Sequence, residues 1–508
     1  MKNSTKIVFL VPPDIFITKT YAPPLGLASL AAVLKSSGYE VEIIDALAER
    51  LSQKSFMNRV RKSDGDVFGM TCITDFRFTV FKTAKMIKSV FPDSKVVLGG
   101  PHVFSTDVQT LETVKDVDII VRSEGEESIV EIADALKRGA SLSGIRGITF
   151  RRGSRIIRNE DRPFIKDIDK LPMPARELLP FDRYNPTLEV THNRKCTSVV
   201  FSRGCPYQCV FCANRRLWRS SFRKRSVDKV IDEMRMLVDD YNISAFDIWD
   251  DTFTMDKKWL KEVCNGMIRE GMDTLWYCRG RVNNIDRETV LLMKKAGCRA
   301  VLLGVESGSQ RVLDVIRKAI TVEQAKRSIK TCIDNGVSVK TGFMVNHPTE
   351  TLNDVRKTMR LIKYFRDISG GDSSKIKIIP GPTRIYPGTD IESMAKKSGK
   401  LPADFNWAKP YYNPKYLLWN SSPYLPLYEE IPLEKLTEFY IRESLKLGDW
   451  FTPAMLTFFN FRAILKNPRL SHMTLLSKNL LTLIAKFKPE HYRKSINEYS
   501  NYIRYRSG

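Results

Sequence analysis

The stretch RGCPYQCVFC, residues 203–212, places three cysteines within eight positions of a 508-residue chain that has nine in all. It follows directly on an apolar run, TSVVFS (197–202), that reads as a buried strand. Thiols gathered on a loop at the end of a strand mark a site. What surrounds that strand decides the fold.

Five more apolar runs follow: AFDIWD (245–250), LWYCRG (275–280), AVLLGV (300–305), VSVKTGFMV (337–345) and KIKIIP (375–380). Helical patterns such as VDKVIDEMRMLVDDY (227–241) separate them. Six strand–helix units over 197–395 predict a partial (β/α)6 barrel, whose ligands meet the carboxyl ends of the strands. Upstream, KIVFLV (6–11), VEIID (41–45), DVFGMTC (66–72), KVVLGG (95–100) and DIIV (118–121) alternate with amphipathic stretches, among them LGLASLAAVLKSSG (25–38) and RFTVFKTAKMIKSVF (77–91). This α/β alternation predicts a doubly wound, Rossmann-like parallel sheet over 1–144, with ligand loops at MTCITD (70–75), GGPH (99–102) and RSEGEE (122–127). A hairpin, GITFRRGSRIIRN, and a proline-rich connector, LPMPARELLPFDRYNP (171–186), fill 145–196. From 396 to 508 the regularity fades, and a mainly helical region is expected.

The chain carries 82 basic and 58 acidic side chains, a formal charge of +24. Such an excess suits an anionic partner: nucleic acid, an anionic membrane surface or a phosphorylated substrate. IVFLV (7–11) is too short for a secretory h-region and runs into Pro12 and Pro13. No apolar run approaches the ~20 residues that cross a bilayer. A reducing, cytoplasmic location is the expectation, where cysteines serve as thiols, metal ligands or core filler rather than disulfides.

Cys205, Cys209 and Cys212 are spaced C-x3-C-x2-C. Structural zinc takes four ligands, often as two C-x2-C pairs, and no second pair lies nearby. Three thiolates on one loop suit three irons of a 4Fe–4S cube, with the fourth iron open to another ligand. Incidental buried thiols are the plain alternative.

CPYQCVFC resembles the motif of the radical S-adenosylmethionine (radical SAM) superfamily, including an aromatic residue, Phe211, before the last cysteine. The resemblance implies a 4Fe–4S cluster on the three cysteines, SAM on its open iron, and a 5′-deoxyadenosyl radical that abstracts hydrogen from unactivated carbon. It also implies four further SAM-binding segments. DIWDDTFTMD (247–256) would bring Asp250 and Asp251 to the SAM amino group. CRGRVN (278–283) would bring Arg279 or Arg281 to its carboxylate, a role that suits a planar guanidinium. LLGVESGS (302–309) would set Glu306 near the ribose or sulfonium. TGFMVNHPTET (341–351), with Gly342, Met344 and Asn346, would pack on adenine. An acidic turn and a solvated basic turn are the plainer readings of the aspartates and arginines. The family's glycine–any–proline–glycine–glutamate is replaced here by Asn346, His347, Pro348, Thr349 and Glu350, so a different turn is expected, with His347 bonded inside the protein.

The domain ahead of the barrel resembles that of the cobalamin-binding subfamily, on APPLGLASLAAVLKSSGYEVEIIDA (22–46), VVLGGPHVFSTD (96–107) and VRSEGEESIVEIADAL (121–136). The resemblance covers 6–395. It assigns cobalamin contacts to Pro24, Leu25, Thr71, Cys72, Thr74, Gly99, Gly100, Pro101, His102, Glu124, Gly125 and Glu126. The Asp-x-His-x-x-Gly motif of mutase-type cobalamin proteins is missing, and a domain that holds no cobalamin is the alternative. Cys72 also reads as a small buried hydrophobe. Cys196, Cys264, Cys278, Cys298 and Cys332 read as core.

The resemblance implies a cobalamin-dependent C-methyltransferase acting on an unactivated carbon of a hydrophobic or lipid substrate, fed by a flavodoxin- or ferredoxin-type reductant. The alternative is a ring-forming cyclase or carbon–carbon coupling enzyme on a tetrapyrrole or lipid. A lesser alternative is tRNA modification, disfavoured because radical methylthiotransferases carry three more cysteines in a first domain that here has Cys72 alone. The helical pattern HMTLLSKNLLTLIAKFK (472–488) suits peripheral contact with an anionic membrane or docking on the protein itself.

Overall fold

A computed structural model describes residues 5–13, 22–184 and 194–410. The aliphatic runs of the first third become strands of one sheet: β1 (Lys6–Val11), β2 (Glu40–Asp45), β3 (Val67–Thr71), β4 (Lys95–Gly99), β5 (Ile119–Val121), β6 (Ile148–Arg152) and β7 (Arg155–Arg158). Their order is β2-β1-β3-β4-β5-β6-β7. The first five are parallel, and the last two continue the sheet antiparallel. Helices Leu25–Ser36 and Glu126–Lys137 bury their apolar stripes on one face, and Gln53–Ser63 and Arg77–Val90 on the other. Strands β2 and β3 flank β1 on opposite sides, which makes the switch point where doubly wound sheets open a ligand crevice. The hairpin expected to lie between domains is instead an edge of this sheet: Ile148 to Phe150 pair with β5 and bury Ile148 and Phe150 in its core.

The second sheet holds β8 (Cys196–Val199), β11 (Ala245–Ile248), β12 (Leu275–Gly280), β13 (Cys298–Glu306), β14 (Ser338–Val345) and β15 (Ile376–Pro382). The six are parallel and adjacent in chain order, a partial barrel open between β15 and β8. A two-stranded ribbon, β9 (Ser202–Arg203) with β10 (Arg223–Lys224), stands at the base of the cysteine loop. Its outer helices start on side-chain caps at Ser226, Asp256, Asp286, Thr321, Thr351 and Thr389. Trp276 and Cys278 pack against these helices, so the alternation of β12 turns Tyr277 and Arg279 into the barrel.

Residues 401–410 cross from the barrel to the first domain. Trp407 is buried, donates from Nε1 to Glu392 Oε1 at 2.8 Å, and its carbonyl accepts from Arg77 Nε at 2.7 Å. The rest of the expected helical region, with the 472–488 pattern, lies outside the described residues. Among the described residues no helix is long and apolar enough to cross a membrane.

Candidate active site

The cysteine loop leaves β9 through Gly204, whose φ is +92° and whose missing side chain matters: a Cβ would stand 2.2 Å from the Ser221 carbonyl oxygen. The loop is seated on the barrel by the Val210 amide, which donates to the Ile316 carbonyl at 3.1 Å, and by the Ile391 amide, which donates to the Val210 carbonyl at 3.2 Å. Cys209 is buried, and Cys205 and Cys212 are half-buried. Thr252 Oγ1 lies 3.6 Å from Cys205 Sγ, and Arg281 Nη1 lies 3.8 Å from Cys209 Sγ. Burial pushes the Cys212 thiol up to about 11, and the neighbouring Cys209 and Cys205 add to the shift. A metal reverses that cost, because a coordinating thiol is deprotonated outright. Among the described residues no three His, Cys, Asp or Glu side chains converge as they would on a single ion. A cube asks for less convergence, since each thiolate takes a different iron. The donor set therefore fits a 4Fe–4S cluster better than zinc.

Beside the loop, β13 ends in a register shift between Gly304 and Glu306. Glu306 has a φ of +73°, and its Oε1 accepts from Lys318 Nζ at 2.7 Å. A Cβ at Gly304 would stand 2.4 Å from that same oxygen. Arg281 is buried, donates from Nη2 to the Lys318 carbonyl, and lies 3.5 Å from the Tyr207 ring centroid. Lys318 Nζ is 5.8 Å from the Phe211 ring. Glu306, Arg281, Phe211 and Cys209 are thus brought together around Lys318, a residue that sequence reasoning missed. Its only signal is a lysine twelve residues after Glu306.

The other expected SAM residues divide. Asp250 is fully buried and its oxygens accept from the Phe201 amide at 2.7 Å and Ser202 Oγ at 2.5 Å. Burial pushes its carboxyl up to about 7. It supports the approach to the cysteine loop from behind. Asp251 accepts from Asn214 Nδ2 at 2.6 Å, on the loop's far side. Arg279 turns away from the cysteines: Nη1 donates to Asp247 Oδ1 at 2.9 Å, and the guanidinium lies 5.0 Å from the Trp249 ring. Gly342 approaches the Glu306 carboxylate, where its Cβ would stand 3.7 Å from Oε2, and Met344 is half-buried on the same face of β14.

The turn after β14 keeps left-handed backbone at both positions where the family has glycine: Asn346 at φ +64° and Thr349 at φ +58°. Glu350 Oε2 ties it by accepting the Asn346 and His347 amides at 2.7 and 3.2 Å. His347 is buried, its Nδ1 is 3.2 Å from Thr383 Oγ1 and its Nε2 is 3.5 Å from the Glu306 carbonyl.

In the first domain, Thr71 and Pro101 are exposed at the ends of β3 and β4, and Pro24 and Leu25 open the helix after β1, half-buried. Gly99 accepts the Cys72 amide at 2.7 Å, and Gly100, at φ +101°, is packed against Cys72 and Thr71. Cys72 is buried, as a small hydrophobe would be, and burial raises its thiol pKa. His102 is also buried, 3.2 Å from Thr74 Oγ1 and enclosed by the rings of Phe81 and Trp407. Burial lowers its pKa to about 3. Gly125 caps the helix Glu126–Lys137. Glu124 and Glu126 both pair with Arg203, at 2.6 and 2.5 Å, just ahead of the cysteine loop. Burial opposes the Glu124 charge, but Arg223 and Arg203 more than offset it and hold the carboxyl below its ordinary range. The other five scattered cysteines are all buried, as core residues.

Comparison with known proteins agrees with both halves of this picture. Residues 199–362 match the radical SAM superfamily, and residues 17–133 match the B12 binding domain. An uncharacterized methyltransferase of Pyrococcus horikoshii is 34% identical over 408 residues, covering 80% of this chain and 86% of that one. An anaerobic magnesium-protoporphyrin IX monomethyl ester cyclase of Rubrivivax gelatinosus is 31% identical over 348 residues, 67% of this chain and 62% of the cyclase. The fold is shared with the radical SAM methyltransferase TsrM of Kitasatospora setae, solved with cobalamin and a [4Fe-4S] cluster, at TM-score 0.63 and 20% identity over 77% of this chain and 75% of that one. It is also shared with the cobalamin-dependent radical enzyme OxsB, at TM-score 0.70 and 16% identity over 99% of this chain and 75% of that one.

The chain belongs to the cobalamin-binding radical SAM family. It is an enzyme whose cofactors are a 4Fe–4S cluster, SAM and cobalamin.

Proposed function

We propose that this enzyme is a C-methyltransferase acting on an unactivated carbon of a hydrophobic, lipid-type substrate. One observation carries the substrate class. Among the described residues five large hydrophobics are exposed: three stand just past the carboxyl ends of strands, Ile73 after β3, Val200 after β8 and Trp249 after β11, and a fourth, Ile379, lies midway along the edge strand β15. Apolar side chains left wet at a ligand edge mark the wall of an apolar pocket. The relative named a methyltransferase supports methyl transfer.

When bound, the cluster supplies the electron that cleaves SAM, and the corrinoid carries the methyl group. The chain's own residues orient and shield. Cys205, Cys209 and Cys212 would hold the cluster, with Arg281 as the cation beside Cys209. Glu306, fixed by Lys318 in a left-handed backbone position, would accept from a SAM hydroxyl or amine. Strain of that kind persists where the surroundings over-determine a geometry, often at functional sites. The Glu350-tied turn would hold the end of β14 against the adenine. An external flavodoxin- or ferredoxin-type protein would supply the electron, and the enzyme would work in the cytoplasm or at its membrane face.

The test is anaerobic reconstitution followed by turnover with methyl-labelled SAM. Expected are about four iron and four sulfide per chain, stoichiometric cobalt, 5′-deoxyadenosine, and label in a lipid extract. Label confined to RNA, or a chain that binds no cobalt, would overturn the proposal. The cyclase relative favours a second reading, ring closure, which would show 5′-deoxyadenosine and substrate oxidation without methyl gain.

A further inference from the structure

The cysteine loop begins and ends in the β9–β10 ribbon, where Arg203 and Arg223 are paired directly opposite each other. Both reach out of the barrel to the first domain. Arg203 donates from Nη1 to Glu124 Oε1 at 2.6 Å and from Nη2 to Glu126 Oε1 at 2.5 Å. Arg223 Nη1 donates to both Glu124 oxygens at 2.9 Å, and Glu124 Oε2 also accepts the Ile165 amide at 2.8 Å. Arg219 donates to Asp161 at 2.8 Å, and Arg122 holds the same carboxylate at 3.0 Å. Phe164 lies 4.8 Å from the Arg223 guanidinium and 6.1 Å from the Trp218 ring. Three arginines that flank the cysteines therefore meet three carboxylates of the first domain and its connector.

The energetics make this contact conditional in both directions. Like charges directly opposite on paired strands repel, so a two-residue ribbon bearing Arg203 against Arg223 closes only with an anion between them. Glu124 is that anion. Conversely, the Glu124 and Glu126 side chains are 3% and 7% exposed, and a buried carboxylate stripped of its partner is strongly destabilising. Glu124 lies on the turn after β5 and Glu126 opens the helix that follows, at the ligand edge of the corrinoid domain.

We infer that Arg203 is a positioning residue: its fork pins the base of the cluster loop to the ligand edge of the corrinoid domain and so fixes the separation of the two cofactors. The inference rests on the cofactor reading above. A guanidinium makes two directed bonds from one plane, which lysine cannot. Charge alone therefore restores only part of the function.

The experiment compares the full chain with R203M and R203K. In cofactor-free protein, R203M is expected to speed amide exchange at least about tenfold in both 119–127 and 202–224, with a smaller change in R203K. In reconstituted enzyme, pulsed dipolar EPR between the reduced cluster and cob(II)alamin is expected to broaden in R203M and partly narrow again in R203K. The ratio of 5′-deoxyadenosine to transferred methyl is expected to rise in step. Exchange that quickens only in 202–224, or an unchanged spin–spin distance, would overturn the inference. If R203M does not fold, E126A removes one arm of the fork and takes its place in each measurement. Protein that binds no cobalamin would sink the functional reading instead, and the exchange result then decides the pin alone.

Discussion

At the scale of single residues, the turn after β14 shows how a backbone outlasts the side chains that suit it. Thr349 is β-branched and sits at φ +58°, where such residues are strained. T349V keeps the strain and gives up the hydroxyl bond to Arg311, and is expected to lower stability by about 1 kcal/mol, whereas T349G gives up the same bond but releases a similar amount of strain and is expected to stay near the unaltered chain. Urea unfolding decides, and a destabilised T349G would show that the strain is absent. The same turn buries two titratable groups of opposite sense. Burial raises Glu350 to about 7 and lowers His347 to about 4. Glu350 is protonated when folded and ionised when unfolded between its two pKa values, so its stabilisation is present below about 4.5 and lost as pH rises through 7. His347 is neutral when folded, so its contribution is present above about 6.5 and lost as pH falls toward 4. The two slopes oppose each other across the shared window. E350Q is expected to unmask the histidine, with stability falling on acidification. H347Q is expected to unmask the glutamate, with stability falling as pH rises, each by up to ~1.4 kcal/mol per pH unit. Parallel pH profiles for the two variants would refute the assignment.

At the scale of elements, the cysteine loop depends on a backbone passage that tolerates no side chain. At Gly204 a Cβ would collide with the Ser221 carbonyl, and the φ of +92° is costly for any other residue. G204A is expected to cost about 1–3 kcal/mol and to displace the loop. Iron content after reconstitution is then expected to fall well below that of the unaltered chain, while far-ultraviolet circular dichroism stays unchanged. Full iron uptake by G204A would show that the loop has another path. The motif makes the cysteines legible in the sequence, and the alternation of apolar and helical runs makes both sheets legible. The arginine partners of Glu124 and Glu126 are not, because they lie 77 or more positions away, across a domain boundary. Arg279 and Arg281 likewise read alike in the chain. They diverge because alternation along β12 points Arg279 into the barrel, and the strand's end frees Arg281 to turn toward Cys209.

At the scale of the whole molecule, the interface between domains is ionic and buried at the cysteine loop, and apolar where Trp407 packs beside His102. Domains move independently unless the interface between them is extensive and buried, and this one is expected to couple their unfolding. Cobalamin at 100 times its dissociation constant is expected to add about 2.7 kcal/mol. Calorimetry is expected to show one transition that moves as a whole. A first-domain transition that moved alone would show that the two domains are not coupled.

The sequence by itself determined the two sheets, their order along the chain, the three thiols and the cofactor family. Periodicity and short-range spacing carry these, and both are local. Only the tertiary structure decided which carboxylates hold the domains together. It turned Glu124 and Glu126 to Arg203, enclosed His102 behind Trp407, and placed Lys318 on Glu306. A buried charge takes whichever opposite charge the folded chain brings nearest, and nothing in the linear order of residues specifies that distance.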